Sequence, residues 1–229
     1  MTACRLVIAD DHPLFRDALR LTASQALPDA QIIEASSFDG LRTTLEANPD
    51  ADLVLLDLNM PGMVGLSGLL FLRAAFSAVA VVIISANEEP SVIQQALALG
   101  AMGYIPKSAA PAEIRAALAA LLAGEMWVPA GSDPQRHGSS DDAELISRLA
   151  SLTPQQVRVL MMLSDGLANK QIAHALGVSE ATIKAHVSAV LEKLGVDNRT
   201  QAVIVTQRLM AAAASSDAQA RAVGLEAGR

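Results

Sequence analysis

The stretch Leu53-Val54-Leu55-Leu56-Asp57-Leu58-Asn59-Met60-Pro61-Gly62 decides the fold. Four aliphatic residues in a row show no polar alternation, which is how a strand covered on both faces reads. An acid follows at once, and then the turn signal Asn59-Met60-Pro61-Gly62. Runs of the same kind stand on either side: Leu6–Ala9, Ile32–Ala35, Val79–Ile84 and Gly103–Ile105. Between them lie segments with helical spacing. Leu14, Ala18, Leu21 and Ala26 make one stripe, Val92, Ala96 and Leu99 another, and Ile114, Leu118, Leu121 and Leu122 a third. Strand–helix alternation repeated five times predicts an α/β fold, a doubly wound five-stranded parallel sheet.

The chain has 229 residues, 52% of them hydrophobic and only 3% aromatic, so the apolar share is mostly aliphatic. That is a globular composition and excludes a disordered chain. The formal charge of −7 argues against a general nucleic-acid coater, but the charge is uneven. Residues 1–125 are net −7, residues 126–146 net −3, and residues 147–210 net +3. An acidic front half and a mildly basic back half predict two domains with different partners. The single cysteine, Cys4, excludes an intrachain disulfide framework and a cysteine-built zinc site, which fits a reducing cytoplasm. The uncharged apolar stretches are short, and Ala74 to Asn87 has 14 residues. A membrane span needs about 20, so a soluble protein with no membrane partner is expected.

In a doubly wound sheet, ligands bind beyond the carboxyl ends of the strands. The residues there are Asp10 and Asp11, then Asp57, then Ser85, then Lys107. Three carboxylates brought to one edge repel one another unless a cation intervenes. Mg²⁺ takes a few carboxylates together with water and phosphate oxygens. A carboxylate, a metal, a hydroxyl and an ammonium are the parts needed for phosphoryl transfer to Asp57. His12 reads as a surface residue at a helix start rather than a phosphodonor or metal ligand, and Met60 and Met63 read as loop packing.

After residue 124 the character changes. Gly124, Pro129, Gly131, Pro134 and Gly138 mark a linker, and residues 141–150 fit a short amphipathic helix. From Thr153 onward only helix signals occur. Thr153-Pro154-Gln155-Gln156 offers an N-cap, a proline in the first turn and a capping-box glutamine. Gly166 and Gly177 stop two helices, Ser179 caps a third, and Asn198 with Gln201 opens a fourth. The helices over 169–176 and 180–194, joined by Gly177-Val178-Ser179, form a helix-turn-helix pattern. Ile183, Val187, Val190, Leu191 and Leu194 share its core face. Lys184, Ala185 and Ser188 share the opposite one, small and basic enough to approach a groove. Lys170, Lys193 and Arg199 lie at element ends suited to phosphates.

Residues 5–123 resemble the receiver domain of two-component response regulators, on Asp10-Asp11, Asp57 through Gly62 with Gly65, Ser85-Ala86, and Gly103 through Ser108. The resemblance implies a flavodoxin-like fold with Asp57 as phosphoacceptor. It implies Mg²⁺ held by Asp10 or Asp11 with Asp57 and the Asn59 carbonyl. Ser85 and Tyr104 would form a switch pair in which Tyr104 packs inward beneath the fourth helix on phosphorylation. Residues 150–210 resemble the LuxR-type DNA-binding domain, on Leu152-Thr153-Pro154, Asn169 through Ala173, Ser179, Thr182-Ile183-Lys184 and Lys193 through Val196 with Asn198-Arg199.

That second resemblance implies DNA contact by Lys170, Ser179, Thr182, Lys184, Ala185, Ser188, Lys193 and Arg199, and a two-fold contact through the last helix, 199–210. Ala168 departs from it, standing where Ser or Thr is usual as an N-cap. The expected division is a receiver over 1–124, a linker over 125–148, a DNA-binding domain over 149–212 and an Ala-rich tail over 213–229. The expected function is a phosphorylation-dependent transcriptional regulator, not an enzyme. Its partners would be a histidine kinase, double-stranded DNA and, when phosphorylated, a second copy. Asn59 rather than Asp two residues after Asp57 separates the chain from aspartyl-phosphate hydrolases.

Overall fold

The computed structural model describes residues 4–63, 65–131 and 140–207. Five strands, β1 (Arg5–Ala9), β2 (Gln31–Ala35), β3 (Leu53–Asp57), β4 (Ala80–Ser85) and β5 (Gly103–Pro106), form one parallel sheet in the order β2-β1-β3-β4-β5. Each strand lies within a residue or two of its aliphatic run. The order changes direction beside β1, the flavodoxin-like arrangement, and puts the carboxyl ends of β1 and β3 side by side.

Helices α1 (Pro13–Ala26) and α5 (Pro111–Leu122) cover one face of the sheet. Helices α2 (Phe38–Ala47), α3 (Ser67–Ala75) and α4 (Pro90–Ala98) cover the other. Alternate β1 residues serve the two cores: Leu6 and Ile8 one, Val7 and Ala9 the other. Proline opens α1, α4 and α5, where its missing N–H has no helical partner to lose.

One stripe differs from expectation. In α1 the buried residues are Leu19, Thr22 and Ala23, while Leu14 is 87% and Leu21 59% exposed. The core face runs through Phe15, Leu19, Thr22, Ala23 and Ala26, one position round the helix. Thr22 can be buried because its hydroxyl donates to the Ala18 carbonyl, 2.9 Å away. Leu122 on α5 is likewise on the outer side.

Helices α6 (Ser140–Ala150), α7 (Pro154–Ser164), α8 (Asn169–Leu176), α9 (Glu180–Leu194) and α10, helical over residues 199–207, form the second half. The α7 capping box is present: Thr153 N–H donates to Gln156 Oε1 at 2.9 Å, and Gln156 N–H to Thr153 Oγ1. Ala168 has no side-chain oxygen to cap α8, and only the return half of the box survives, Ala168 N–H to Gln171 Oε1 at 2.8 Å. Gly177 closes α8 at φ +67°, and the Val178 N–H reaches back to the Ala173 carbonyl.

The two halves touch. Helix α3 packs on α7 and α6, and α6 also packs on α4 and α9. Ile146 and Leu149 of α6 are buried in the same apolar cluster as Leu70 and Phe71 of α3. The C-terminal part of the expected linker is therefore a packed helix. The tail over 213–229 lies outside the described residues, and of the expected last helix 199–210 only 199–207 is described.

Candidate phosphoacceptor pocket and nucleic-acid face

The sheet register assembles the pocket. Ala9 pairs with Leu56, Asp57 with Ile84, and Ser85 with Pro106. Asp10, Asp57, Ser85 and Lys107 thus leave four adjacent strands at one edge. Asp10 and Asp57 are 1% exposed and Ser85 is fully buried. Lys107 Nζ lies 2.8 Å from Asp57 Oδ2 and 2.9 Å from Asp10 Oδ2. The Phe15 ring, 5.0 Å from the ammonium, flanks it. The Lys107 backbone N–H donates to the Ser85 carbonyl at 2.8 Å, which ties β5 to β4 at the pocket floor.

Burial pushes the Asp57 carboxyl above its ordinary value, and Asp10 adds to this, outweighing the opposing pull of Lys107 and the Asn59 N–H. Burial alone would lower the Lys107 ammonium, but Asp57 and Asp10 outweigh it and hold it above its ordinary value. The physical cause is shared: two buried carboxylates have one cation between them.

Side-chain atoms of Asp10, Asp11, His12 and Asp57 all fall within 4.8 Å of one another. Among the described residues Asp57 Oδ1 has no hydrogen-bond partner, and Asp11 Oδ1 faces His12 Nδ1. Carboxylate oxygens converging in a buried site fit a hard cation, so the cluster could hold a metal ion. His12 lies where its helix-start reading puts it, part-exposed and beside the acids. It is the N-cap residue of α1, and its Nδ1 stands 2.8 Å from Asp11 Oδ1 and 3.8 Å from Asp57 Oδ2. Met60 and Met63 are buried in the loop after β3, as expected.

Tyr104 is fully buried, and its hydroxyl donates to the Asn87 carbonyl at 2.5 Å. The Tyr104 ring therefore lies inside the fold in this conformation. Sequence reasoning missed Asn87. It is fully buried, and its Oδ1 accepts from the Glu89 N–H at 2.8 Å, shaping the loop into α4. Its N–H donates to Ser85 Oγ at 3.1 Å.

The second half presents an open face. Lys170, Ser179, Thr182, Lys184, Ala185 and Ser188 are exposed along the start of α8 and on α9. Ser179 Oγ accepts from the Thr182 N–H at 3.1 Å and pairs with the Thr182 hydroxyl at 2.8 Å. Lys193 and Arg199 are half-buried and engaged internally. Lys193 Nζ donates to the Ser151 carbonyl at 2.7 Å and to Gln156 Oε1 at 2.9 Å. Arg199 donates to the Leu167 carbonyl at 2.6 Å. These bonds brace the helix-turn-helix.

The family model for the response regulator receiver domain matches residues 6–119, and that for the luxR family of bacterial regulatory proteins matches residues 150–206. A glycerol metabolism activator of Pseudomonas putida is 39% identical over 206 residues, covering 87% of this chain and 93% of that one. The chain is a LuxR-type response regulator. The nitrate/nitrite response regulator NarL of Escherichia coli K12 is 33% identical over 201 residues, covering 87% of this response regulator and 93% of NarL. The solved complex of the two-component response regulator RcsB with DNA superposes with a TM-score of 0.53 at 25% identity, covering 90% of this chain and 98% of that one. The protein is a DNA-binding transcriptional regulator of a two-component system, not an enzyme in the usual sense. Receiver domains take their phosphoryl groups from histidine kinases. Among the described residues no helix is long and apolar enough to cross a membrane.

Proposed function

We propose that Asp57 accepts a phosphoryl group from a histidine kinase and that this drives a cytoplasmic, DNA-bound homodimer. The observation that carries the reading is the placing of Asp57 beside Asp10 and Lys107 at the end of β3. Asp10 or Asp11, Asp57 and the Asn59 carbonyl would hold Mg²⁺, which neutralises charge on the transferring group. A carboxylate oxygen of Asp57 attacks phosphorus as the bond to the donor breaks. Lys107 stays beside the new phosphoryl oxygens and offsets their charge. Ser85 supplies a hydroxyl at the pocket wall, and Tyr104 behind it senses the change. Lys170, Ser179, Thr182, Lys184, Ala185 and Ser188 would meet double-stranded DNA, with Lys193 and Arg199 as positioning residues. The RcsB structures include two RcsB dimers on two DNAs, which supports a dimeric bound form.

In this reading the receiver spans 1–124, the linker 125–148, the DNA-binding domain 149–212 and the tail 213–229. The test is labelling with acetyl phosphate and Mg²⁺. The parent should label, Asp57→Ala should not, and chelation should abolish the signal. Equal labelling of parent and variant would remove Asp57 from its role.

A further inference from the structure

Beyond the end of α5 the chain turns back along the sheet. Gly124, at φ +83°, ends the helix, and the Glu125 N–H reaches back to the Ala120 carbonyl. The chain then runs beside the free edge of β5, where Trp127 makes a parallel bridge with Gly103. The Tyr104 N–H donates to the Trp127 carbonyl at 3.0 Å. Only glycine allows this approach at residue 103, because a Cβ there would lie 2.7 Å from the Trp127 oxygen. The Trp127 side chain packs on the cluster that contains Leu121 and Ile105.

We propose that residues 125–127 form a strap that couples Tyr104 to the linker, so that its hold on β5 sets how far the DNA-binding half can move. One residue carries both connections. The Tyr104 ring is fully buried with its hydroxyl on Asn87, in the loop after Ser85, while its backbone N–H holds Trp127. A shift of β5 at Tyr104 must carry the strap with it or break that bond. Twelve residues separate Trp127 from Ser140 at the start of α6. Release of residues 125–127 would lengthen the chain available between β5 and α6 by roughly 10 Å, at about 3.3 Å per extended residue. The inference rests on phosphorylation of Asp57, and its test separates the two.

Trp127 is the sole tryptophan of the chain, so intrinsic fluorescence of the full-length protein reports on the strap directly. The probe is acetyl phosphate with Mg²⁺, with label on Asp57 measured in the same samples. The strap predicts a shift in Trp127 emission in step with labelling, together with faster amide exchange at Tyr104. Gly103→Ala should show the shifted emission before any phosphoryl donor is added. It should still label, while the gain in DNA affinity on phosphorylation falls at least threefold. Gly124→Val is a second variant outside the sheet. Nothing lies within 4 Å of its added Cβ, but its positive φ disfavours a side chain, and it should act in the same direction. Full labelling with unchanged emission and exchange, and with both variants responding as the parent does, overturns the strap alone. Absence of label in the parent overturns the Asp57 reading, and the strap with it.

Discussion

Lys107 Nζ lies 2.8 Å from Asp57 Oδ2, and the same ammonium also serves Asp10. A receiver without metal thus folds around an excess of buried negative charge. Removing the one cation leaves two carboxylates facing each other. Breaking a buried pair in this way costs about 3–5 kcal/mol. Lys107→Ala should therefore be destabilised by that order in urea unfolding without divalent cation, and Mg²⁺ should recover part of the loss. Equal unfolding midpoints for parent and variant would contradict the shared-ammonium picture.

The direction of the Asp57 shift gives a pH signature. Burial raises its carboxyl in the folded state above the unfolded value. The stability it contributes is then complete below the unfolded value and is lost as pH rises through the folded one. At neutral pH without metal the charged Asp57 is a net burden. Asp57→Asn should be the more stable protein there, and the difference should vanish on acidification through the carboxylate range. Saturating Mg²⁺ should close the gap or reverse it, because a ligand of the folded state stabilises only the chain that binds it. Thermal unfolding of both proteins across pH, with and without Mg²⁺, is the measurement.

Contact between α3 and α7 makes a third prediction. Leu70 of α3 is 2% exposed and faces Val157, Leu160 and Met161 of α7 across a 280 Å³ cavity that Thr206 of α10 also lines. Burial of a leucine of this kind contributes about 1.5–3 kcal/mol. Leu70→Arg should separate the halves, seen as a larger radius of gyration in small-angle scattering. It should also free α10 for self-association, so the unphosphorylated variant should sediment as a larger species than its parent. A parent-like scattering profile would show that this contact does not hold the halves together.

The parts legible in the sequence are those set by local pattern. Strands buried on both faces read as aliphatic runs, and the acids and Lys107 just after them were found at the sheet edge. The α7 capping box, a contact between residues three apart, was equally visible. What was not visible depends on partners distant in sequence or on backbone atoms. The core face of α1 was misplaced because it includes Thr22, whose polarity is masked only by its own helix carbonyl. His12 is legible as a helix start, but its approach to Asp57 is not, because Asp57 arrives from β3. Lys193 and Arg199 read as basic residues at element ends, and their partners, which include the carbonyls of Ser151 and Leu167, are invisible in that pattern. No side-chain pattern reveals a carbonyl acceptor 32 or more residues away.

The exposed face of α9 yields the last prediction. Lys184 Nζ is 3.3 Å from Glu180 Oε1, one turn earlier, and both side chains face solvent. Such a pair contributes about 0–1 kcal/mol, so DNA can displace Glu180 at little cost. Each phosphate neutralised by a basic side chain contributes about −0.9 to the slope of log affinity against log salt. If Lys184 meets a phosphate, Lys184→Ala should weaken binding to all sequences and flatten the slope by about 0.9. If it meets a base edge instead, the slope should change less and discrimination should relax at one position, by about 1–3 kcal/mol for a good bidentate contact. Lys193→Ala offers the contrast. Its ammonium holds Ser151 and Gln156, so this change should lower the unfolding midpoint while leaving the salt slope as in the parent. Fluorescence anisotropy on duplex DNA across a salt series, alongside urea unfolding, distinguishes the two lysines. A Lys184→Ala protein with unchanged slope and unchanged discrimination would take α9 out of the interface.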